Sequence, residues 1–402
     1  KPLLPIESGM ELRVYNLLRP LCFKHEISLL CFAPEEDQTK DPIENLRTLF
    51  HKVELVPREK TKRQKPGLLR RVGGWIWPPA DFLGGLGASI NMKNAIQSFI
   101  KTNDVDLVHI AGPNMISYFL KTTHIPIVFD SIDDPSLYFF RSIKQDKRLL
   151  EKAKRLKDWL VSRNFEKRYY RKFKEIIVSS SIDGKIINSF CPQSNVTVIP
   201  NGTDCHYLRP VSSEPEEPIL VFSGVMDYEP NILAMTFFCK SIFPLIKREI
   251  PNSQLVIVGK NPTHEIVSLE KEMSGIKVTG FVNDLRPYFA RSKVYVCPLK
   301  SGAGIKNKIL EAWAAGLPIA ATSLGCAGVE ISPGEDILIA DDIHSFAKAV
   351  VRLLQDENLR KRLVQKGRKK VVEKYDWESK AEMLEKVYFR AMKNSSIDAD
   401  SC

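Results

Sequence analysis

A glycine-rich segment that leads into a short helix carries the most chemical information in this sequence. It runs from Ser301 to Pro318, reads SGAGIKNKILEAWAAGLP, and follows an apolar strand candidate at Val294–Pro298. A strand, a loop of small residues and a helix N-terminus leave backbone N–H groups free and direct the helix dipole at one point. Lys306 and Lys308 add full positive charge there. This order predicts a phosphate-binding site.

One carboxylate lies a helical turn beyond the lysines. Glu311 follows Lys308 by three residues and therefore shares its helix face. A carboxylate would repel phosphate, but it can accept hydrogen bonds from the hydroxyl groups of an adjacent sugar. A binding position for a diphosphate beside one for a ribose indicates a nucleotide ligand. The alternative interpretation is an ordinary helix start whose lysines are solvated.

Three more small-residue turns follow strand candidates in the second half of the chain. They read VIPNGTD at 198–204, SGVMDYEPN at 223–231 and VTGFVND at 278–284. Ligands of open α/β sheets bind outside the carboxyl ends of the strands. The second half of the chain therefore forms a predicted nucleotide half-site, with Gly224 and Gly280 at its strand ends.

Strand-like and helix-like runs alternate along the whole chain. Twelve mostly continuous apolar runs, six before and six after residue 201, are typical of parallel strands covered on both faces. Helical patterns separate most of them, which predicts a doubly wound α/β arrangement in each half. The segment Asn201–Pro218 is the predicted boundary, because three prolines and an acidic cluster interrupt the pattern there.

The amino-acid composition limits the classes of protein to which this chain can belong. A chain of 402 residues is too long to fold around one ordinary hydrophobic core, which predicts two domains. Its content of 44% hydrophobic and 27% charged residues is typical of a soluble globular protein. No apolar run is long enough for a bilayer span, and the start lacks a signal-peptide pattern. Eight scattered cysteines include no C-x-x-C pair, so we expect a reduced, cytoplasmic protein.

The excess of basic over acidic residues favours an anionic partner. The formal net charge is +11, which suits a nucleotide, a nucleic acid or a membrane surface. No nucleic-acid recognition motif is present, so we expect no nucleic-acid partner. The segment Arg58–Pro79 places Trp75, Ile76 and Trp77 after a basic run. It fits either an interfacial contact with an anionic membrane or a solvated lid over an acceptor site.

Two other charged regions have simpler interpretations. Residues Arg141–Lys174 are predicted to form one long helix whose mixed charges are typical of a solvated face. The acidic run Asp130–Asp134 contains a D-x-x-D pattern at a strand end, where an acceptor-side role is one option. We favour a turn or helix-capping role, and we predict no metal requirement.

In this order and spacing, the motifs VIPNGTD, SGVMDYEPN and GIKNKILEAWAAGLP resemble glycosyltransferase family 4, the retaining sugar-nucleotide transferases of GT-B fold. The resemblance extends from about Pro5 to Tyr388. Within the family, the chain looks most similar to the exopolysaccharide and lipopolysaccharide-assembly branch. It implies two Rossmann-like doubly wound domains facing across a cleft. The acceptor-side domain would be 1–205, joined by the C-terminal helix 376–402, and the nucleotide-sugar-binding domain would be 206–375.

The resemblance also implies roles for single residues. Lys306, Lys308 and His109 would act in catalysis, with His109 at a strand end near the transferred sugar, although a core or hinge histidine is the alternative. Glu311 would bind the ribose hydroxyl groups. The other donor-binding positions are small or strand-end residues: Gly9, Gly224, Gly280, Phe281, Val282, Gly302, Ala303, Gly304 and Ile305.

Two positions depart from the family pattern. Ala303 stands where the family usually has a glutamate that bonds the donor sugar, and the loop Val225–Asn231 lacks the Arg and Lys that the family often places there. We expect Lys306 and Lys308 to replace these cations.

The predicted function is retaining transfer of a sugar from a nucleoside-diphosphate sugar to a hydroxyl of a saccharide or lipid-linked acceptor, in cell-surface polysaccharide synthesis. The nucleotide sugar is a co-substrate, and we expect no other cofactor. The expected location is cytoplasmic, or peripheral on the cytoplasmic membrane face. Two alternatives remain open: a GT-B sugar-nucleotide epimerase, and a catalytically degenerate nucleotide-binding scaffold.

Overall fold

The chain divides into two compact units. Unit 1 comprises Lys1–Pro200 and Lys380–Cys402, and unit 2 comprises Asn201–Ser379. The division lies at the start of the predicted boundary segment. The computed structural model describes residues 9–33, 41–57, 78–79, 89–120, 125–132, 135–145, 149–211, 215–301 and 307–399.

All strands in the described part of unit 1 are parallel to their neighbours. Two of them pair with each other, and four form a separate sheet of order β3-β4-β5-β6. Every residue of β5 is buried, as expected of a strand covered on both faces. The strands are β1 (Ser28–Phe32), β2 (Lys52–Val56), β3 (Val108–Ala111), β4 (Ile127–Asp130), β5 (Glu175–Val178) and β6 (Asn195–Val198).

Unit 2 is built on one six-stranded parallel sheet of order β12-β11-β10-β7-β8-β9. Within this unit the order is sixth, fifth, fourth, first, second, third, which is the doubly wound order of dinucleotide-binding folds. Strand order reverses between β7 and β10, and that is where such sheets bind ligands. The strands are β7 (Ile219–Ser223), β8 (Gln254–Val258), β9 (Ile276–Val278), β10 (Val294–Cys297), β11 (Ile319–Ala321) and β12 (Leu338–Ile339).

Helices separate most successive strands in both units. In unit 1 they are α1 (Gly9–Leu18), α2 (Asp41–Leu49), α3 (Ile90–Thr102), α4 (Pro135–Gln145), α5 (Leu149–Tyr169) and α6 (Ser181–Asn188). In unit 2 they are α7 (Glu229–Phe237), α8 (Phe243–Glu249), α9 (His264–Glu272), α10 (Arg286–Ala290), α11 (Asn307–Ala314), α12 (Ile343–Gln355) and α13 (Glu357–Tyr375). The last helix, α14 (Trp377–Ala399), belongs to unit 1 from Lys380 onward.

A π-helical turn joins α7 to α8. It covers Phe238–Ile242, and Pro244 follows in the first turn of α8. Proline has no N–H and its ring clashes with the carbonyl four residues earlier, so the regular α-helical ladder cannot pass through it unchanged.

Each of the twelve predicted strands overlaps an observed strand, but the single long helix predicted over 141–174 is wrong. That region contains the end of α4 and all of α5, followed by a 3-10 turn at Tyr170–Lys172. The rings of Phe140 and Trp159 lie 6.0 Å apart. A straight helix would hold these two residues about 28 Å apart. Packing of α4 against α5 therefore replaces the extended helix.

One close helix contact fixes the position of α11. Trp313 of α11 is fully buried, and its indole Nε1 donates a hydrogen bond to the carbonyl oxygen of Asp336 at 3.0 Å. Gly367 of α13 lies directly against the indole, because a Cβ there would be 2.4 Å from Trp313 Cδ1. Only glycine allows α13 to approach α11 this closely.

We expect Gly367→Val to destabilise the protein by about 1–3 kcal/mol, because overpacking a buried ring forces neighbours to shift. Urea unfolding followed by tryptophan fluorescence measures the change. Lys369→Ala is the matched control, since Lys369 is exposed on the same helix. An unchanged midpoint for Gly367→Val would contradict the close packing.

Candidate functional site

The predicted anion site lies at the reversal point of the unit 2 sheet. Gly224 directly follows β7, and the segment from Pro298 onward follows β10 and leads into α11. Five predicted site residues fall outside the described residues, and their roles stay predictions. They are Gly302, Ala303, Gly304, Ile305 and Lys306.

Lys308 projects its ammonium group to the carboxyl end of β7. Its Nζ donates a hydrogen bond to Asn231 Oδ1 at 2.8 Å and lies 4.4 Å from the ring centre of Phe222. A Cβ on Gly224 would be 3.1 Å from this Nζ. The structure thus brings Lys308 and Gly224, two predicted site residues, into contact distance.

Asn231 joins the loop after β7 to Lys308. Its side chain is buried, its Nδ2 donates to the Val225 carbonyl at 2.9 Å, and its Oδ1 accepts from Lys308. The sequence predicted no role for Asn231, because an asparagine near a helix start is usually a local turn residue. Its partner lies 77 residues away, so no local signal could have revealed the contact.

Glycines bring the ends of three neighbouring strands close together. A Cβ on Gly259 would lie 1.6 Å from the carbonyl oxygen of Gly224. The Gly259 N–H donates to the Gly280 carbonyl at 3.2 Å, and Gly280 has φ +71°. Sequence patterns predicted Gly224 and Gly280 as site residues but gave no role to Gly259. At Gly224, Gly259 and Gly280 this edge of the sheet therefore presents backbone groups without Cβ atoms.

Phe281 and Val282 continue from this edge. Phe281 is 69% exposed, which is unusual for an aromatic side chain. An open depression of about 510 Å³ lies beside it, lined by Lys277, Phe281, Val282, Asn283 and Arg291, among others. The depression offers an aromatic face and cationic groups.

Burial shifts the pKa values of the two ionisable side chains of α11, Lys308 and Glu311. Burial lowers the pKa of Lys308, while Cys297 and Glu311 oppose that shift. Burial raises the pKa of Glu311, and Lys308 opposes it. Burial thus removes part of the hydration that stabilises the charged form of each group. An anion beside Lys308 would compensate for the lost hydration of the ammonium group.

In unit 1, three segments meet at the carboxyl edge of the four-stranded sheet. Gly9 is the first described residue of α1. Gly112, after β3, has φ +86°, and a Cβ there would be 3.4 Å from Met10 Sδ and 3.7 Å from Ile132 Cδ1. The start of α1 and the loops after β3 and β4 therefore pack together.

His109 lies inside β3 rather than at its end, because the strand continues to Ala111. Its Nδ1 shares a hydrogen bond of 2.6 Å with the Tyr388 hydroxyl of α14. Its Nε2 is buried and has no hydrogen-bond partner in the described part of the chain. Burial lowers the pKa of His109, with Arg13 acting in the same direction and Asp130 against it. This shift favours the neutral imidazole.

Asp130 has the turn role favoured by the sequence. Its Oδ1 accepts from the Ile132 N–H at 2.9 Å, and its Oδ2 pairs with Arg13 Nε at 3.0 Å. Arg13 also donates to the Ile199 carbonyl at 2.8 Å. The hydrogen bond supports Ile132 at φ +62°, a conformation that is strained for a β-branched residue. Asp133 and Asp134 lie outside the described residues.

Metal-ligand clusters and membrane-spanning helices are both absent from the described ranges. Those ranges contain no group of three or more His, Cys, Asp or Glu side chains placed to share a metal ion. None of their helices combines the length and the apolar character that crossing a bilayer requires.

Most of the basic and aromatic segment Arg58–Pro79 lies outside the described residues. Its last two residues, Pro78 and Pro79, are described. The Pro78 carbonyl accepts hydrogen bonds from the Tyr169 hydroxyl at 3.0 Å and from Arg168 at 3.3 Å. This segment therefore ends beside the C-terminal part of α5.

Comparison with known proteins finds two family models. "Glycosyltransferase Family 4" matches residues 8–207, and "Glycosyl transferases group 1" matches residues 217–356. A lipopolysaccharide core biosynthesis glycosyltransferase, LpsE of Rhizobium meliloti, is 31% identical over 37% of this chain and 47% of its own length. A phosphatidyl-myo-inositol mannosyltransferase of Mycolicibacterium smegmatis is 25% identical over 48% of this chain and 52% of its own. The chain spans about half the length of such curated relatives.

Solved structures share the fold over nearly the whole chain. A glycosyltransferase from Rickettsia africae aligns with TM-score 0.67 and 14% identity, covering 97% of both chains. Sucrose-phosphate synthase from Thermosynechococcus elongatus aligns with TM-score 0.66 and 16% identity, covering 96% of this chain and 94% of the other. Anabaena HepE in complex with UDP and glucose aligns with TM-score 0.61 and 13% identity, covering 94% and 95%.

These likenesses confirm the predicted GT-B fold class and the family resemblance. With a family 4 model over its first half and a group 1 model over most of its second, the chain belongs to the GT-B glycosyltransferases of family 4.

Proposed function

We propose that this protein transfers a sugar from a nucleoside-diphosphate sugar to a hydroxyl group of a saccharide or lipid-linked acceptor, with retention at the anomeric carbon. The observation that carries the proposal is the Lys308 ammonium group, held at the end of β7 where the strand order reverses. Relatives named for lipopolysaccharide and phosphoinositide glycosylation support an acceptor of the cell envelope. HepE, whose structure holds UDP and glucose, supports the donor class.

The proposed chemistry depends on stabilising a leaving group. Breaking the bond between the sugar and the diphosphate leaves negative charge on the phosphate oxygens. Lys308, the start of α11 and, by prediction, Lys306 with the backbone of Gly304 and Ile305 face that charge as it develops. Preorganised charges of this kind lower the barrier most when little water competes with them.

The remaining donor contacts follow from the same edge of unit 2. Glu311 lies one turn along α11 and would accept hydrogen bonds from the ribose hydroxyl groups. Phe281 and Val282, with the backbone of Gly280, would border the base, since the exposed Phe281 ring offers a stacking face. Gly9, in unit 1, would lie near the diphosphate and the acceptor.

His109 would bond a hydroxyl group of the transferred sugar through Nε2. An imidazole held at Nδ1 by Tyr388 presents Nε2 for a single hydrogen bond, as donor or acceptor according to its tautomer. The departing phosphate can take the acceptor proton, so this mechanism needs no protein base. It also needs no metal ion, because lysines and backbone N–H groups supply the positive charge.

A donor screen followed by product analysis tests the function. Thermal stabilisation by a panel of nucleoside-diphosphate sugars identifies the donor, and the release of nucleoside diphosphate is then measured with and without saccharide and lipid-linked acceptors. We expect release to require an acceptor and the product to keep the donor's anomeric configuration. An altered sugar released without acceptor, or stabilisation without any turnover, would contradict the proposal.

We expect Lys308→Ala to lower kcat by about 10²–10³-fold, because it removes a charge aimed at the developing anion. Affinity for the nucleoside diphosphate should fall by a smaller factor. Lys300→Ala is the matched control, since Lys300 lies in the same loop region with its Nζ 3.4 Å from the ring centre of Phe237. Equal kcat values for Lys308→Ala and the unchanged protein would count against the assignment.

Nucleotide affinity should depend on pH through Lys308. Burial lowers the pKa of Lys308, so the ammonium group loses its proton at a lower pH than an ordinary lysine as pH rises. Calorimetric titration across alkaline pH should therefore show affinity falling earlier in the unchanged protein than in Lys308→Arg. Ionisation of the nucleotide is common to both proteins and cancels in the comparison. Identical pH profiles would refute the role of this group.

Tyr388→Phe should lower kcat roughly tenfold, because it removes the hydrogen bond that orients His109 and selects its protonated nitrogen. His109→Ala should cost more, and adding Tyr388→Phe to it should cost nothing further, since the hydroxyl then has no ring to hold. Steady-state kinetics of the two single variants and the double variant measure this cycle. Additive losses would show that Tyr388 acts independently of His109.

A further inference from the structure

The VIPNGTD motif at 198–204 takes no part in the proposed donor contacts, although its last four residues begin unit 2. A Cβ on Gly202 would lie 2.8 Å from the carbonyl oxygen of Tyr375, the last residue of α13. The Thr203 N–H donates to the same carbonyl at 2.8 Å. The chain that follows the motif, segment 201–210, is therefore fixed at its start to the end of α13.

Segment 201–210 contacts α11 near both ends of that helix. Near its start, Asn201 Nδ2 donates a hydrogen bond to Asn307 Oδ1 at 3.3 Å. Just past its end, Gly316 has φ +76°, and a Cβ there would lie 2.7 Å from Pro210 Cβ. The segment and the helix that carries Lys308 are therefore in contact at two separate points.

Arg368 of α13 bridges the segment and the end of α11. Its Nη1 donates to the carbonyl oxygens of Ala314 at 2.6 Å and Leu208 at 3.0 Å, and its Nη2 donates to that of Cys205 at 2.9 Å. Ala314 is the last residue of α11, where carbonyl groups have no partner within the helix. A cation at this end of a helix also interacts favourably with the helix dipole.

The chemistry of this bridge suits arginine. A guanidinium group spreads five N–H donors over a planar fork, whereas a lysine ammonium group concentrates three donors at one point. Acceptors that belong to two different parts of the chain need the wider arrangement. All three acceptors of Arg368 are neutral carbonyls, so these bonds hold backbone rather than balance charge.

We propose that Arg368 is a positioning residue of the donor site. By holding the end of α11 on segment 201–210, it would fix the place from which Lys308 faces the diphosphate. Arg368 would act through Lys308 and would not touch the substrate, because Lys308 precedes Ala314 by six residues, about 9 Å along the helix. This inference rests on the proposed function, which gives Lys308 its role.

The bridge adds a restraint that the neighbouring apolar contact lacks. Gly367 packs on Trp313, but apolar contacts are not directional. Hydrogen bonds weaken steeply away from their preferred distances and angles, so the bonds of Arg368 would resist a slide of α11 along its axis. A displacement of about 1 Å at reacting groups can lower a rate by about 10²-fold.

Steady-state kinetics of substituted proteins test the proposal. We expect Arg368→Ala to lower kcat by about 10–10²-fold while KM for the acceptor stays unchanged. Arg368→Lys should recover part of the loss, because the charge at the helix end remains while the fork is lost. Arg362→Ala is the matched control, since Arg362 is an exposed arginine of the same helix, and it should behave like the unchanged protein.

A double change separates positioning from general destabilisation. In Lys308→Ala the group that Arg368 positions is gone, so adding Arg368→Ala should lower kcat by a smaller factor than Arg368→Ala does alone. Equal factors in the two backgrounds, or an unchanged kcat for Arg368→Ala, would overturn the proposal.

Amide hydrogen exchange gives a readout that needs no transferase activity. Arg368→Ala should speed exchange at residues 203–208 and 309–316 relative to the strands β7, β8 and β9. Unchanged exchange in both stretches would overturn the positioning role. Lack of turnover by the unchanged protein would overturn the proposed function itself, and the exchange measurement distinguishes these two failures.

Discussion

The candidate site of unit 2 depends on how one ammonium group, that of Lys308, is held at the end of β7. Two contacts define that position. Behind α11, the close approach of Gly367 to Trp313 fixes the helix against α13. Ahead of it, Asn231 accepts from Lys308 while donating to the Val225 carbonyl, which ties the helix to the loop after β7. A shift of α11 by one residue would rotate its side chains by about 100° and move the charge away from the strand ends.

Glycines at the edge beside this charge leave the backbone of the strand ends without Cβ atoms. Gly224 and Gly259 lie so close that any Cβ on Gly259 would overlap the neighbouring carbonyl. Backbone hydrogen bonds then connect the ends of β7, β8 and β9 through Val258 and Gly280. Such an edge lets a ligand approach the backbone closely, which is the reason that phosphate-binding turns use glycine.

The sequence predicted the strands well because parallel strands buried on both faces read as continuous apolar runs. It also predicted Gly224, Gly280 and Lys308 as site residues, since a glycine turn between a strand and a helix is a local signal, and the structure places all three at the strand ends of unit 2. Contacts between distant residues left no such signal: Asn231 meets Lys308 across 77 residues and His109 meets Tyr388 across 279. The separation of α4 from α5 was missed because helix propensity continues through the charged residues between them.

The loop after β7 lacks the arginine and lysine that glycosyltransferase family 4 often places there, and the geometry offers a physical reason why this chain can do without them. Two unit charges 4 Å apart attract by about 1 kcal/mol in water but by about 4 kcal/mol at an effective dielectric constant near 20. One partly buried ammonium group can therefore replace more than one solvated cation, provided that something holds it. Asn231 is suited to that task, because its neutral carbonyl orients Lys308 without cancelling the charge. A carboxylate at the same position would form a salt bridge and leave no net charge for an incoming diphosphate.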